Sequence, residues 1–199
     1  TTPLRALLAA TRRLSMGNYA VAMEHTERSD EVGDLARSFD HMRVDIARQQ
    51  NEIRDLAYRD RLTGVPNRER FRTAVMDALR ADPVPGHCLA VLVLDLDRFK
   101  HVNDVLGYAF GDRLLQAVAG RLQPMLSTPG DMLARHGGNE FALLLHVADA
   151  QAALHVADRI ARSFETPIRF DDQTVDLSAS MGIALWPDHA VDADMLINR

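Results

Sequence analysis

An apolar run from Leu89 to Leu94 ends in two carboxylates, Asp95-Leu96-Asp97, followed by Arg98-Phe99-Lys100. Carboxylates at the end of a buried strand are costly unless their charge is compensated. A divalent cation compensates well, and Mg2+ takes one or two carboxylates together with substrate phosphate oxygens. The plainer alternative is a pair of solvated strand-end acids. Alternation puts Asp95 and Asp97 nominally on one side, but a strand that is ending can turn one of them away. Lys100 meets a phosphate in the first case and solvent in the second.

Asn103-Asp104 and Gly107-Tyr108-Ala109-Phe110-Gly111-Asp112 come next. The two glycines permit tight backbone geometry. Asp112 reads either as the N-terminal cap of a helix or, paired with Asn103, as a guanine selector. In the second case a carboxylate accepts from the guanine amino group while an amide presents donor and acceptor. The last cluster is Arg135-His136-Gly137-Gly138-Asn139-Glu140-Phe141. Its glycine pair lets backbone approach a ligand and delivers polar side chains immediately afterwards. As a bare hairpin tip it would be unremarkable, with His136 on the surface.

The elements that must hold these residues are legible from pattern. Asp60 to Arg68 is turn-rich, and a helix is predicted from there to about Ala81. A loop with Pro83, Pro85 and Gly86 leads into a central strand over Leu89–Leu94. A helix over Phe110–Leu126, a hairpin over Met132–Val147, a helix over Ala148–Phe164 and a strand over Thr174–Leu185 follow. That order predicts an α+β domain, an antiparallel sheet with helices packed on one face.

The N-terminal part reads differently. Leu4, Leu7, Thr11 and Leu14 carry helical spacing after Pro3, and Gly17-Asn18 breaks it. Ser29 or Asp30 caps a second helix, with Glu31 and Asp34 near its positive end. Val32, Leu35, Phe39, Met42, Ile46, Gln49, Ile53 and Leu56 then keep a heptad seam in which only Gln49 is polar. So narrow a seam predicts a coiled coil, with dimerisation into a four-helix bundle burying it. The stripe serves equally as an inert stalk or as a signal transmitter.

Over 199 residues the net charge is −5, with 47% hydrophobic and 26% charged residues. A negative chain offers no cationic field for a polyanion, so nucleic acid is not an expected partner. The single cysteine, Cys88, excludes an internal disulfide framework and reads as a small hydrophobe beside a strand. No apolar run approaches the ~20 residues that cross a bilayer. The absence of an initial methionine and a predicted helix still running at Asn198-Arg199 read as a fragment.

The run Asp30-Glu31-Val32-Gly33-Asp34-Leu35, with Pro3-Leu4 before and Phe39 and Met42 after, resembles a HAMP linker. Asp60-Arg61-Leu62-Thr63-Gly64 with Asn67-Arg68, Asp95-Leu96-Asp97 with Phe99-Lys100 and Asn103-Asp104, Gly107 with Gly111-Asp112, Arg135 with Gly137-Gly138 and Glu140-Phe141, and Ser180-Met181-Gly182 stand in the order of the GGDEF, or diguanylate cyclase, domain. The resemblance implies a HAMP-like linker over 1–50, a coiled-coil connector over 51–59 and a C-terminally incomplete GGDEF domain over 60–199. It implies a cyclase or polymerase-palm fold, a nucleotidyltransferase that condenses two GTP into cyclic di-GMP, and a homodimer joined through the N-terminal coil. It also implies Mg2+ or Mn2+ held by Asp95, the Leu96 carbonyl and the third signature residue. Amides near Phe99, with Lys100, would hold phosphates, and Asn103 and Asp112 would read guanine. A bacterial inner-membrane anchor and a phosphodiesterase domain beyond the fragment are further expectations of that resemblance, with the present residues on the cytoplasmic side.

The departures matter most. The third signature position, an acid in the family, is Asn139, which brings no charge and takes no proton. Glu140 remains as a partial substitute. Tyr108 stands where the family usually has histidine. Thr128 stands where the family's product-inhibition site has an arginine, three residues before Asp131, which removes a bidentate contact. The reading is a cyclase weakened by Asn139, or else an inactive GTP-binding module that controls a partner or neighbouring domain.

Overall fold

The structure, a computed structural model, describes residues 2–22, 25–81, 88–170, 173–189 and 192–197. The expected Pro83, Pro85 and Gly86 loop and the expected helical Asn198-Arg199 lie outside the described residues. The chain divides into two compact units, Thr1–Leu56 and Ala57–Arg199.

The first unit holds helix α1 (Thr2–Ser15) and most of α2 (Glu31–Tyr58). Asp30, not Ser29, caps α2: its Oδ1 accepts from the Gly33 N–H at 3.1 Å. The Arg28 guanidinium, hydrogen-bonded to the same carboxyl, pulls it down to about 2. Gly33 is required by close approach, since a Cβ there would stand 2.1 Å from the Arg28 carbonyl oxygen. Arg37 Nη1 donates to the carbonyls of Thr26 and Arg28 at 2.7 and 2.6 Å, pinning the connector to α2. Ala10 packs with Val32 and Phe39. Further along the seam Leu35 and Met42 stay exposed, Ile53 is 60% exposed and Leu56 55%.

The second unit continues with α3 (Arg68–Arg80), β1 (Cys88–Leu96), α4 (Phe99–Leu106) and α5 (Tyr108–Leu122). Then come β2 (Met132–Gly137), β3 (Glu140–Val147), α6 (Ala150–Ser163), β4 (Ile168–Phe170), β5 (Gln173–Val175), β6 (Ala179–Trp186) and α7 (Ala193–Ile197). The main sheet runs β2-β3-β1-β6 and every pairing in it is antiparallel, which places β1 in the middle. Cys88 opens β1 at intermediate burial, packed against the core.

Helices cover both faces of this sheet, not one as predicted. Leu92, Leu94 and Leu96 of β1 pack against Leu114 and Leu115 of α5 and Ile160 of α6. Leu89 and Val91 face the other way, against Phe71 and Val75 of α3 and Leu196 of α7. A central strand apolar on both sides needs cover on both. Each buried leucine or phenylalanine contributes about 1.5–3 kcal/mol.

Two other elements differ from expectation. The single strand predicted over Thr174–Leu185 is broken: β5 pairs with β4 in a separate two-stranded sheet, and β6 begins only at Ala179. Leu177, between them, is drawn into the core. The stretch after Asp97, to which the sequence pattern assigned no element, contains α4, whose eight residues carry no side-chain cap.

Candidate functional site

Where β1 ends, its two carboxylates part company. Asp97 turns to β6: its Oδ1 accepts from Ser180 Oγ and its Oδ2 from Ser178 Oγ, both at 2.8 Å. Its backbone N–H also donates to the Ser178 carbonyl at 2.9 Å. The hydrogen bonds from Ser180 and Ser178 hold its carboxyl below the usual carboxylate range. Asp97 is therefore a clasp between strands. Asp95 sits between Glu140 on β3 and Ser180 on β6 in the register of the sheet.

Immediately beyond, Arg98 adopts a left-handed conformation, φ 57°, and α4 starts at Phe99. A left-handed non-glycine residue is strained, and such strain gathers where backbone is aimed for a purpose. The first-turn N–H groups of a helix lie outside its own hydrogen-bond ladder and carry a partial positive charge. Here those groups belong to Phe99, Lys100 and His101, since the Val102 N–H is the first to bond back, to the Arg98 carbonyl.

Asp95, Leu96, Phe99, Lys100, Asn103 and Asn139 line one cleft of about 370 Å³, with Tyr108 at its exposed rim. Thus six of the sequence-predicted site residues meet. Asp112 and Glu140 are not among its lining residues. Asp112 is no helix cap either, because α5 begins at Tyr108 behind Gly107 and puts Asp112 exposed in its second turn. Glu140 lines a neighbouring cleft with Asp95 and Ser180, and its carboxylate stands 3.8 Å from His136 Nδ1.

Asn103 depends on a glycine that the sequence reading credited only with backbone freedom. A Cβ on Gly111 would fall 1.8 Å from Asn103 Oδ1. That oxygen is buried and has no hydrogen-bond partner among the described residues. A buried amide oxygen left in this state is a group awaiting a donor.

The hairpin tip is built by its glycines. Gly137 (φ 134°) and Gly138 (φ 52°) both take positive φ, and the register shifts between Arg135 and Gly137. Arg135 anchors it, donating from Nε and Nη2 to the Gly138 carbonyl at 3.1 and 2.7 Å. Its Nη1 reaches both oxygens of Asp60 at 3.0 and 3.1 Å. Burial works to raise the Asp60 carboxyl, but hydrogen bonds from Thr63 and Arg135 outweigh it and hold the group below its usual range. His136 is not a surface residue: its side chain is 6% exposed and meets the Phe71 ring edge-on at 5.2 Å. Burial lowers its pKa.

Asn139 then delivers its amide into the cleft. Nδ2 donates to Asp95 Oδ1 at 2.9 Å and to the Leu96 carbonyl at 2.9 Å. Both partners can only accept, so the nitrogen and not the oxygen must face them.

The divalent ion that the resemblance implies would rest on Asp95, the Leu96 carbonyl and Asn139. As they stand, these groups do not fit it. The amide points protons where a cation needs lone pairs, and turning it over would bring an oxygen without charge. Asp97 is committed to its serines, and no cluster of three His, Cys, Asp or Glu side chains among the described residues is placed to hold a metal.

Near the expected product-inhibition position, Asp131 is likewise engaged. Its carboxylate accepts from the backbone N–H groups of Thr128 and Ser127 at 3.0 and 3.3 Å and of His146 at 2.8 Å.

Comparison with known proteins identifies the family of each unit. The family described as the diguanylate cyclase GGDEF domain matches residues 57–199, and the HAMP domain matches residues 1–48. The diguanylate cyclase TpbB of Pseudomonas aeruginosa is 41% identical over 169 residues, 80% of this chain and 39% of that protein. The cyclic di-GMP phosphodiesterase NbdA of the same organism is 32% identical over 171 residues, 86% of this chain and 21% of that protein. The chain therefore spans well under half the length of the curated relatives it matches. The solved GGDEF domain of TpbB aligns with a TM-score of 0.67 at 43% identity, covering 71% of this chain and 83% of that one. The coiled coil and GGDEF domain of DgcB from Caulobacter crescentus, in complex with c-di-GMP, gives a TM-score of 0.73 at 23% identity over 84% and 88%, a likeness of fold.

Proposed function

Because this chain belongs to the diguanylate cyclase GGDEF family, we propose that it is a cyclic di-GMP signalling protein that binds GTP and condenses it weakly. The observation that carries this reading is the single cleft shared by Asp95, Leu96, Phe99, Lys100, Asn103 and Asn139. Phosphates would lie against the first-turn amides of α4 and Lys100, where the helix end and the ammonium both favour anions. The guanine would meet Asn103, whose buried Oδ1 has no donor, and Asp112 would accept from its N–H groups.

In the condensation each 3′-oxygen bonds to the α-phosphorus of the other nucleotide, pyrophosphate leaves and the hydroxyl proton must be taken up. Two domains face to face are needed, one GTP on each. The exposed seam of α2 supports a homodimer that brings them together, and the HAMP unit would set its geometry. No helix among the described residues is long and apolar enough to cross a membrane. An inner-membrane anchor, with these residues on the cytoplasmic side, rests on the habit of HAMP units to follow such a span.

Asn139 weakens the reaction because an amide cannot accept the hydroxyl proton and brings no charge. The hydrogen bonds from its Nδ2 to Asp95 and Leu96 favour a second reading as well, a GTP-binding regulatory module that controls a phosphodiesterase domain or partner. Two phosphodiesterases among the relatives, NbdA and PdeR of Escherichia coli, agree with that arrangement.

Calorimetric titration with GTP and ATP tests the shared premise. GTP is expected to bind, ATP to bind far more weakly, and Asp112→Ala to weaken GTP. Equal affinity for both nucleotides would refute guanine recognition. Chromatography of the products then separates a weak cyclase from a pure binding module.

A further inference from the structure

We infer that this domain holds its guanine nucleotide without needing a divalent cation, because the Asn139 amide takes the cation's place. The inference rests on the guanine-nucleotide reading above. A pocket with two facing carboxylates and a carbonyl repels a triphosphate unless a cation intervenes. This cleft has a different charge pattern. Asp95 is the one carboxylate of the implied ligand set, and Asn139 Nδ2 places one proton on its Oδ1 and the other on the Leu96 carbonyl, each at 2.9 Å. Both acceptors are satisfied by protein. Glu140, the remaining acid of the signature, lies beside His136, outside the lining of the cleft.

The cleft also holds a second carboxylate, Asp104, and against these two acids stand Lys100, Arg98 and the positive end of α4. An ion seated on Asp95 Oδ1 and the Leu96 carbonyl would displace both amide hydrogen bonds and gain a single charged ligand. Mg2+ also gives up its own water reluctantly. The repulsion that makes an ion obligatory between two facing acids is absent where Asp95 faces an amide and the other acid of the cleft is matched by cations. Asn139 thereby becomes a specificity-determining residue for the bound species, making the free triphosphate as good a ligand as its magnesium complex.

The test is calorimetric titration of GTP into the full chain, once with excess EDTA and once with Mg2+, alongside Asn139→Asp. The wild-type dissociation constants are expected to agree within about threefold, while Asn139→Asp should lose about tenfold or more in EDTA and recover with Mg2+. Wild-type binding that appears only with Mg2+ overturns this inference and leaves the guanine reading standing. Absence of binding under both conditions overturns both. An Asn139→Asp variant that ignores EDTA would also overturn it, since the amide would then make no difference.

Discussion

Arg135 Nη1 hydrogen-bonds both carboxylate oxygens of Asp60, at 3.0 and 3.1 Å, across a sequence separation of 75 residues. The same guanidinium holds the Gly138 carbonyl, so one side chain ties the first loop of the domain to the hairpin that presents Asn139. Arg135→Ala leaves Asp60 partly buried with only its Thr63 contacts. It is expected to lower stability by about 1.5–3 kcal/mol, the range for hydrogen bonds to a charged group. Urea unfolding measures this, and GTP affinity should fall with it because the turn loses its anchor.

Asn139→Asp returns a proton acceptor and a charge to the cleft. Positioned general-base catalysis is worth about 10²–10⁴-fold, so cyclic di-GMP formation with GTP and Mg2+ should rise on that scale. Chromatographic assay of product decides. No gain would place the lesion elsewhere than at this amide.

Gly111→Ala puts a methyl group where Asn103 Oδ1 now lies. Alanine by itself favours a helix over glycine by about 0.8–1 kcal/mol. Thermal unfolding should therefore show little loss, while GTP affinity drops about tenfold or more as Asn103 is displaced. Loss of folding in place of loss of binding would contradict the geometry.

The Asp97 clasp predicts a dependence on acid. Its carboxyl is lowered in the folded state by Ser180 and Ser178. The stabilisation is thus present above the unfolded value of about 3.9 and fades as pH falls through the folded value. Unfolding midpoints taken between pH 6 and pH 3 should drop, and the drop should be shallower in Ser180→Ala.

Ile53 lies 60% exposed on the seam of α2. In the proposed homodimer this position is covered, so Ile53→Glu would bury an unpaired charge. Sedimentation should show a monomer for the variant and a dimer for the parent. Circular dichroism should stay helical in both.

Spacing alone carried much of this fold. The period of α2, the apolar run of β1 and the glycine pair between β2 and β3 are local properties, written in neighbouring residues. The short α4 escaped notice because a left-handed arginine stands where a capping side chain would announce it. The break between β5 and β6 was hidden in a continuous β-like stretch, and what marks it is long-range: Leu177 turns into the core and Ser178 bonds Asp97, 81 residues away. The apolar run of β1 marked a buried central strand, but which helices cover each of its faces is decided by the tertiary packing and not by chain order. His136 looked like a surface residue until Phe71 of α3 covered it.

Residue types told which chemistry was present and which acid was replaced. Identity at position 139 showed a missing charge. Only the folded chain decides what the amide does instead, because its two acceptors, Asp95 and Leu96, reach it from another strand. Hydrogen-bond direction is a property of positions in space, and no reading along the chain contains it.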